Sequence, residues 1–387
     1  MNTFDVAVLG LGAVGSAAVY QLARRKVRAI GIDRYSPPHD LGSTHGATRI
    51  TREAIGEGAH LTPLARRSHE IWREIERETG VTTLLSRRGL LIISGPAKTS
   101  FTHVQDFLAN TIAAARSHGI AHEILDADAL RSRYPQFHVR DDEVGYFEPG
   151  AGFVRPEACV TAQLDLASRH GAHIHRDERV TEFIPGADDV LIKTERDEYR
   201  ARVLILAAGA WLPEFLGPRL ANAFRVFRQV MFWFSTHDDS FRPERFPVFI
   251  WELSGRTQAI YGFPDIDGDG VKVATEQYEQ GIAAASANRD VSANEAAAMH
   301  ENLIAPFLPQ LSPRCVRAAA CLYTVTADFG FVIDRHPECE RVIIASCCSG
   351  HGFKHSAAVG EILSELALTG RSSVDLSPFR LERLLPA

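Results

Sequence analysis

The chain has 387 residues, 45% of them apolar and 23% charged, a balance typical of folded globular proteins and unlike disordered, collagen-like or coiled-coil chains. Its 42 basic against 48 acidic side chains give a formal net charge of −6, so it lacks the basic excess of a dedicated nucleic-acid binder. Two or three domains, or one large α/β unit, are expected at this length, with room for a large buried ligand.

The cysteines and the apolar runs indicate the compartment. Six cysteines with no CxxC pair favour a reducing environment over a disulfide framework, and the vicinal pair Cys347–Cys348 suggests packing only. No apolar run approaches the ~20 residues of a membrane span, and the run 6–14 follows Asp5 without a preceding Lys or Arg. We therefore expect a cytoplasmic protein with neither a membrane nor a nucleic-acid partner.

The first 35 residues predict a β-α-β unit. Residues 4–9 form a short continuous apolar run, as in a strand buried on both faces. Apolar residues then recur at helical spacing from Val14 to Leu22, and a second apolar run, 27–32, ends at Asp33. This is the beginning of a doubly wound α/β domain.

Gly10, Gly12 and Gly15 form a GxGxxG motif between that strand and helix. The first glycine permits a tight turn, the second lets the backbone approach a pyrophosphate, and the third lets the helix pack closely on the strand. Asp33 is placed to accept hydrogen bonds from a ribose. The motif predicts a dinucleotide without distinguishing FAD from NAD.

Later parts of the chain add to this sheet and suggest a second one. Apolar runs 203–208 and 342–345 read as further buried strands, and a helix is predicted over 356–368, ending at Gly370. The second sheet is suggested by alternating, aromatic-rich strands at 230–235 and 258–263, and an Ala-rich helix is predicted over 284–299 in the same part of the chain. The predicted nucleotide-binding domain comprises segments 1–83, 148–220 and 321–370, and the predicted substrate domain, with a mostly antiparallel sheet, comprises 84–147, 221–320 and 371–387.

Two short segments carry charges that suggest a ligand. Arg49 and Arg52 are three residues apart and would share a face on a helix, where guanidinium groups suit carboxylate recognition; two surface arginines are the alternative. In Ser349–Lys354, a Gly-rich turn follows a strand and puts Lys354 in the first turn of a helix, where its charge opposes the helix dipole. An anionic ligand would explain this position, and a solvated lysine is the alternative.

Two metal-like patterns are better explained otherwise. Residues 265–276 match the calcium-loop pattern D-x-D-x-D-G-x5-E, but strand-like sequence flanks them where a calcium loop requires helices, so an acidic hairpin turn is expected. His173 and His175 would share one face of a strand without an evident third ligand, as on a solvated face. No metal site is predicted.

Together these pieces resemble one family, the monomeric sarcosine oxidase and N-methyltryptophan oxidase group of flavin amine oxidases. The matching stretches lie in order over almost the whole chain: FDVAVLGLGAVGSAAVYQLA, PPHDLGSTHGATRITREAIGEG, AAGAW, YGFP, CLYTVTADFGFVIDRHPE and SGHGFKHSAAVGEILSELALTG. The resemblance implies a Rossmann-type FAD-binding domain and a catalytic domain. It also implies a monomer that oxidises an N-methyl amino acid with O2 to a primary amino acid, formaldehyde and hydrogen peroxide.

The resemblance also implies roles for individual residues. Cys321 matches the cysteine joined to FAD by a thioether at the 8-methyl carbon, where composition alone suggests a buried core thiol. Arg52 and Lys354 match the pair that holds the substrate carboxylate, and Lys272 matches a lysine associated with oxygen activation. The complete set of candidate catalytic residues is Lys272, Arg52, Lys354, Arg49, Tyr261, Glu276 and Tyr323. The candidate cofactor-binding residues are Gly10, Gly12, Gly15, Asp33, Ser43, His45, Thr48, Arg49, Val180, Gly209, Trp211, Cys321, Gly350, His351, Gly352, Phe353 and Lys354.

The chain departs from the family pattern near the expected substrate. Glu276 stands where members commonly have a histidine, and Thr44 and Ala47 replace a histidine and an acidic residue near the flavin. The preferred amine therefore stays open between sarcosine, a bulkier N-methyl amino acid and a cyclic imino acid such as pipecolate or proline. An NAD(P)-dependent dehydrogenase and a non-catalytic flavoprotein subunit are weaker alternatives, since no second nucleotide motif is found.

Overall fold

Two large sheets organise the protein, a computed structural model that describes residues 2–100 and 102–385. The α-helices in these ranges are α1 (Ala13–Arg24), α2 (Thr62–Thr79), α3 (Phe107–Ser117), α4 (Ala127–Arg133), α5 (Pro156–Arg169), α6 (Pro218–Ala221), α7 (Ala293–Met299) and α8 (Ser356–Thr369). Within them, no helix is both long enough and apolar enough to cross a membrane.

The first sheet is parallel at its centre. Its strands are β1 (Asn2–Leu9), β2 (Ala29–Ile32), β9 (His173–His175), β10 (Val180–Pro185), β11 (Val190–Thr194), β12 (Glu198–Leu206), β19 (Val332–His336) and β20 (Cys339–Ser346). Parallel pairing runs from β9 through β2, β1 and β12 to β20, and β10–β11 and β19 add antiparallel pairs. The carboxyl ends of the parallel strands share one edge, where ligands bind in such sheets.

The close fit of α1 on β1 depends on Gly15, the third glycine of the motif. A Cβ built there would lie 1.7 Å from the carbonyl oxygen of Gly10, an impossible distance. Helix α1 also packs against α5 and α8, and the side chains of Val6 and Val8 are almost fully buried beneath it. The predicted β-α-β unit is confirmed.

The second sheet is mostly antiparallel. Its strands are β5 (Leu90–Ser94), β6 (Glu123–Leu125), β7 (Val144–Glu148), β13 (Arg225–Phe234), β14 (Val248–Trp251), β15 (Ile260–Phe263), β16 (Val271–Thr275), β17 (Gly281–Ile282) and β18 (Cys315–Val325). A small third sheet joins β3 (Arg49–Thr51), β8 (Gly152–Val154) and β4 (Leu85–Arg87). The predicted α/β class with a mostly antiparallel second sheet is confirmed.

The predicted domain borders remain a prediction. The strands of the first sheet all fall within 1–83, 148–220 and 321–370, but β18 crosses the border at 320/321. The third sheet combines strands from both predicted domains. Residues 386 and 387 of the segment 371–387 lie outside the described residues.

Two local predictions were tested by the backbone. Helix α8 and its stop at Gly370, which has a left-handed conformation (φ 72°), are confirmed. The Ala-rich helix over 284–299 is wrong in length, because α7 begins only at Ala293. Ser292 ends the preceding loop and caps α7 reciprocally with Glu295, and such a capping box defines a helix start.

Candidate active site

The first cavity opens at the carboxyl ends of β1 and β2. Gly10 and Gly12 line it, and α1 begins beside it at Ala13, so free backbone N–H groups and the positive end of the helix dipole face the space. Asp33, directly after β2, also lines the cavity, and its carboxylate accepts a 2.7 Å hydrogen bond from the N–H of Leu11. This arrangement suits the phosphates and ribose of a dinucleotide.

Distant parts of the chain complete the first cavity, which encloses ≈ 1260 Å³ of atom-free space including its open mouth. The indole Nε1 of Trp211 is buried and has no hydrogen-bond partner among the described residues, so this donor is available to an acceptor in the cavity. The predicted cofactor-binding residues that line this cavity, besides those above, are Ser43, Arg49, Val180, Gly209, Trp211, Gly350, Gly352 and Phe353. The cavity and its unsatisfied donor fit an FAD molecule.

A second cavity, of ≈ 780 Å³, adjoins the first. Arg49, Tyr323, Gly350 and Phe353 line both, so they form the wall where the two spaces meet. All seven candidate catalytic residues line the second cavity, together with the predicted cofactor-binding residues Thr48 and His351. The fold therefore brings together residues that lie more than 300 positions apart.

Arg52 and Lys354 converge inside the second cavity on a third residue, Glu57. Arg52 forms an ion pair with one oxygen of Glu57, and the Nζ of Lys354 lies 3.5 Å from the other. Burial alone would raise the pKa of Glu57, but the two cations hold it well below its usual value. Burial lowers the pKa of Lys354 to about 8, against the effect of Glu57.

The two arginines do not share a helical face as the sequence suggested. Arg49 begins strand β3 and Arg52 directly follows it, because residues 49–51 pair with β8. The guanidinium of Arg49 donates hydrogen bonds to the carbonyl oxygens of Ser43 and Thr48, both at 2.8 Å. Arg49 thus stands at the wall between the cavities and Arg52 in the second.

Lys272 is buried and points into the second cavity from β16. Its Nζ donates to the carbonyl oxygens of Gly46 (2.9 Å) and Thr48 (2.8 Å) and lies 4.0 Å from the centroid of the Phe263 ring. Burial and the guanidinium of Arg49 hold the pKa of Lys272 well below its ordinary value. The solvent-face alternative for this lysine is excluded.

Cys321 lies on β18, two residues before Tyr323, and so faces the same side of the sheet. It is buried and lines neither cavity. Burial raises the pKa of its thiol to about 11, while the nearby guanidinium of Arg49 opposes this rise. The hydroxyls of Tyr323 and Tyr261 are 3.2 Å apart at the cavity wall.

Two of the remaining predicted cofactor residues act at a distance from the cavities. Gly15 packs against the backbone of Gly10, and His45 is buried; neither residue lines a cavity. Burial and Arg49 lower the pKa of His45 to about 4, so its imidazole is neutral at pH 7.

Sequence reasoning missed several residues of this site. Glu57 and His103 line the second cavity, and Glu157 accepts hydrogen bonds from the backbone N–H groups of Gly46 and Ala47. Glu57 lies in the stretch PPHDLGSTHGATRITREAIGEG that carries the family resemblance, and this position could have marked it as a site residue. His103 lies in an irregular segment without a motif.

The two metal-like patterns are occupied by ordinary contacts. Residues 265–276 connect and enter the antiparallel pair β15–β16, as expected of a hairpin, and Asp267 forms an ion pair with Arg155. The Nδ1 of His175, the last residue of strand β9, lies 2.9 Å from a carboxylate oxygen of Glu178, while the side chain of His173 is exposed.

Comparison with known proteins identifies the class to which this site belongs. The family model described as "FAD dependent oxidoreductase" matches residues 5–366. The chain therefore belongs to this family of FAD-dependent oxidoreductases.

Within this family, the chain is similar over its full length to oxidases of N-methyl amino acids. The chain is 37% identical to monomeric sarcosine oxidase of Streptomyces avermitilis, over 100% of this chain and 99% of that protein. It is 33% identical to N-methyl-L-tryptophan oxidase of Escherichia coli, over 98% of this chain and 99% of that protein. The predicted resemblance to this group is confirmed.

Solved structures agree on the fold. NikD, an unusual amino acid oxidase essential for nikkomycin biosynthesis, superposes with a TM-score of 0.84 at 23% identity over 98% of each chain. Glycine oxidase from Geobacillus kaustophilus superposes with a TM-score of 0.78 at 19% identity over the full length of both chains.

Proposed function

We propose that the protein is an FAD-dependent oxidase of secondary, N-methyl amino acids that yields a primary amino acid, formaldehyde and hydrogen peroxide. The observation that carries this proposal is the pair of adjoining cavities, one suited to a dinucleotide and the other lined by Arg52, Lys354 and Lys272. The names of the relatives support the N-methyl amino acid as substrate.

In this proposal, FAD lies in the first cavity and supplies an acceptor for two electrons and a re-oxidation route through O2. The phosphates face Gly10, Gly12 and the first turn of α1, and Asp33 binds the ribose. Arg49 and Tyr323, at the shared wall, border the place where the two ligands meet. The chain contributes position and charge.

Arg52 and Lys354 are proposed to bind the substrate carboxylate, which would replace Glu57 as their partner or add to it. Amine oxidation requires the neutral amine, because an ammonium ion has no lone pair with which to form an iminium. The guanidinium of Arg49 and the ammonium of Lys354 disfavour a further positive charge nearby and so favour the neutral amine. The iminium product then hydrolyses to formaldehyde and the primary amino acid.

Attachment of FAD to Cys321 through a thioether is also proposed. The guanidinium of Arg49 beside the thiol supports this, since a cation favours the thiolate that such a bond needs, in opposition to burial, which raises the pKa of Cys321 to about 11. Action as a monomer, with O2 as oxidant, in the cytoplasm, completes the proposal; the word "monomeric" in the relatives' names supports its first part.

The 37% identity to a monomeric sarcosine oxidase, against 33% to an N-methyl-L-tryptophan oxidase, makes sarcosine the first candidate, with a bulkier N-methyl amino acid and a cyclic imino acid as the alternatives. The test is a peroxide-coupled screen of N-methyl and cyclic amino acids, with anaerobic bleaching of the flavin absorbance as the second measurement. Peroxide formation and bleaching with an N-methyl amino acid are expected. Colourless protein, or flavin that no secondary amine reduces, contradicts the proposal.

A further inference from the structure

A buried histidine–carboxylate pair, His103 and Glu276, lies in the second cavity. The Nδ1 of His103 is 2.9 Å and 3.1 Å from the two oxygens of Glu276. The side chain of His103 is 5% exposed and that of Glu276 is 19% exposed, and both line the cavity. Since a carboxylate only accepts, Nδ1–H of His103 is the donor.

His103 also faces a second carboxylate, because its Nε2 lies 3.7 Å from Glu57. Burial lowers the pKa of His103, but Glu276 and Glu57 outweigh burial and raise it to about 9. At neutral pH a line of alternating charges therefore runs along the cavity wall, from Arg52 and Lys354 through Glu57 and His103 to Glu276. Each charge in this line has an opposite neighbour.

A metal ion does not explain this cluster, although Glu57, His103 and His351 place three ligand atoms within 4.8 Å of one another. The imidazole rings of His103 and His351 are stacked, with centroids 5.0 Å apart and planes at 7°. An imidazole binds a metal through a lone pair in the plane of its ring, so two stacked parallel rings cannot both aim at one ion. Glu57 is, in addition, already paired with two cations.

Glu276 retains capacity for another donor at the junction of the two cavities. Its Oε1 lies 3.3 Å from the position that a Cβ on Gly350 would take, and Gly350 lines both cavities. A carboxylate has about four lone-pair positions, so the contact with His103 leaves acceptor capacity toward the cavity. The phenol of Tyr278 is a second hydrogen-bond donor beside Glu276, and Lys354, Tyr261 and Tyr323 are further groups whose ionisation responds to its charge.

We propose that Glu276 accepts a hydrogen bond from the N–H of the substrate amine and that His103 is the positioning residue that holds Glu276 in place. The inference rests on the proposed function, since it deepens the choice of substrate at that site. The pair selects amino acids whose nitrogen keeps a hydrogen, such as secondary amines, and disfavours tertiary amines. An amino acid then lies with its carboxylate at Arg52 and Lys354 and its nitrogen at Glu276. The positive charge of His103, whose pKa is raised to about 9, offsets the negative charge of Glu276, so the pair accepts a hydrogen bond from the amine without favouring its ammonium form.

Two flat carboxylates of the same shape test this contact without turnover. Pyrrole-2-carboxylate presents an N–H where furan-2-carboxylate presents an oxygen, and calorimetric titration of the flavin-loaded protein gives both dissociation constants. Wild type is expected to bind the pyrrole at least tenfold more tightly. The ratio should fall at least fivefold in Glu276→Gln, which removes the charge, and in His103→Phe, which retains a ring but loses the donor.

The swap His103→Glu with Glu276→His separates recognition from simple packing. It keeps an imidazole–carboxylate pair, so thermal stability should recover relative to the single variants, while the pyrrole preference stays low. Glu252→Gln is the matched control, because Glu252 is a fully buried carboxylate outside both cavities, paired with Lys98. Its pyrrole-to-furan ratio should equal that of wild type.

Equal affinity of wild type for the two probes would overturn the inference without any variant, and so would an unchanged ratio in folded Glu276→Gln. A swap that restores both stability and the pyrrole preference would reduce the pair to a structural contact. Failure to oxidise any secondary amine would instead contradict the proposed function, while the two binding constants would still decide the role of Glu276.

Discussion

At the scale of single residues, the guanidinium of Arg49 beside the thiol of Cys321 is the basis for expecting a flavin bond there, because it opposes the rise in pKa that burial causes. Acid-denatured Cys321→Ser protein should release its flavin into the supernatant, whereas wild type keeps a yellow pellet. Cys159→Ser is the matched control, because Cys159 is equally buried but the charges that act on its thiol are the carboxylates of Glu76 and Glu157. Yellow, acid-precipitated Cys321→Ser protein would contradict the assignment.

Lys272 is expected to matter more for the reaction with O2 than for the reaction with the amine. The first electron transfer to O2 creates an anion, and that anion favours the protonated form of Lys272, whose pKa burial and Arg49 otherwise lower. The resulting ammonium stabilises the anion in the transition state within a water-poor cavity. In Lys272→Met, anaerobic flavin reduction should change modestly, while re-oxidation slows by about two orders of magnitude, or roughly 3 kcal/mol. Stopped-flow measurement separates the reductive and oxidative half-reactions, with Lys193→Met, at a partly exposed lysine outside both cavities, as the control. Unchanged re-oxidation would refute this role.

Lys354 should make carboxylate binding depend on pH. Its pKa is lowered to about 8, so its charge is complete below that pH and is lost as the pH rises through it. Carboxylates that lack an amine should therefore bind tightly at pH 7 and weaken above pH 8. Lys354→Met should weaken them at pH 7 by ~2–4 kcal/mol and remove this pH dependence. Inhibition constants that are flat from pH 7 to 9 in wild type would count against the assignment.

The sequence allowed some of these residues to be found and concealed others. Gly10, Asp33 and Lys354 could be recognised because each lies at a fixed place beside a strand or helix end. His103 and Glu57 could not be assigned a role, because their meaning comes from contacts with residues 173 and 297 positions away. The helical interpretation of Arg49 and Arg52 failed because pairing with β8 outweighs local spacing.

At the scale of elements, the crossing of α1 and α8 depends on Gly360. A Cβ built there would lie 2.4 Å from the Cβ of Ala17 and 2.7 Å from the backbone nitrogen of Ala18. Gly→Ala inside a helix normally stabilises by up to ~1 kcal/mol, but overpacking costs ~1–3 kcal/mol and here meets backbone atoms. Gly360→Ala should therefore lower the free energy of unfolding.

Thermal and urea unfolding measure this effect, with Gly150→Ala as the control, since a Cβ at Gly150 meets nothing within 4 Å. Equal stability of Gly360→Ala and wild type would show that the two helices can separate without cost.

Elements were predictable where sequence pattern and tertiary environment agree. The buried strands β1, β2 and β20 have apolar runs because both faces of the sheet are covered. The extent of α7 was missed because alanine favours helix throughout 284–299, whereas the loop before Ser292 is held by tertiary contacts such as Arg289 with the carbonyl of Leu41.

At the scale of the whole molecule, the dinucleotide cavity is assembled from distant segments of the chain. Gly10 and Asp33 come from its beginning, Val180 and Trp211 from its middle, and Gly350 from near its end. None of these segments alone can enclose the ligand. Binding of the dinucleotide should therefore be coupled to folding of the whole first sheet, whose strands come from the beginning, middle and end of the chain.

This coupling gives a prediction that also separates FAD from nicotinamide dinucleotides. Cys321→Ser protein freed of flavin should unfold at a lower temperature than wild type, and added FAD should raise the midpoint. A ligand that binds only the folded state stabilises by RT ln(1 + [L]/Kd), about 4 kcal/mol at a thousandfold excess over Kd. NAD+ and NADP+ at the same concentration should leave the midpoint unchanged, and added FAD should not shift wild type that already carries its flavin. Stabilisation by NAD+ rather than FAD would favour the dehydrogenase alternative, because the GxGxxG turn and Asp33 accommodate either dinucleotide.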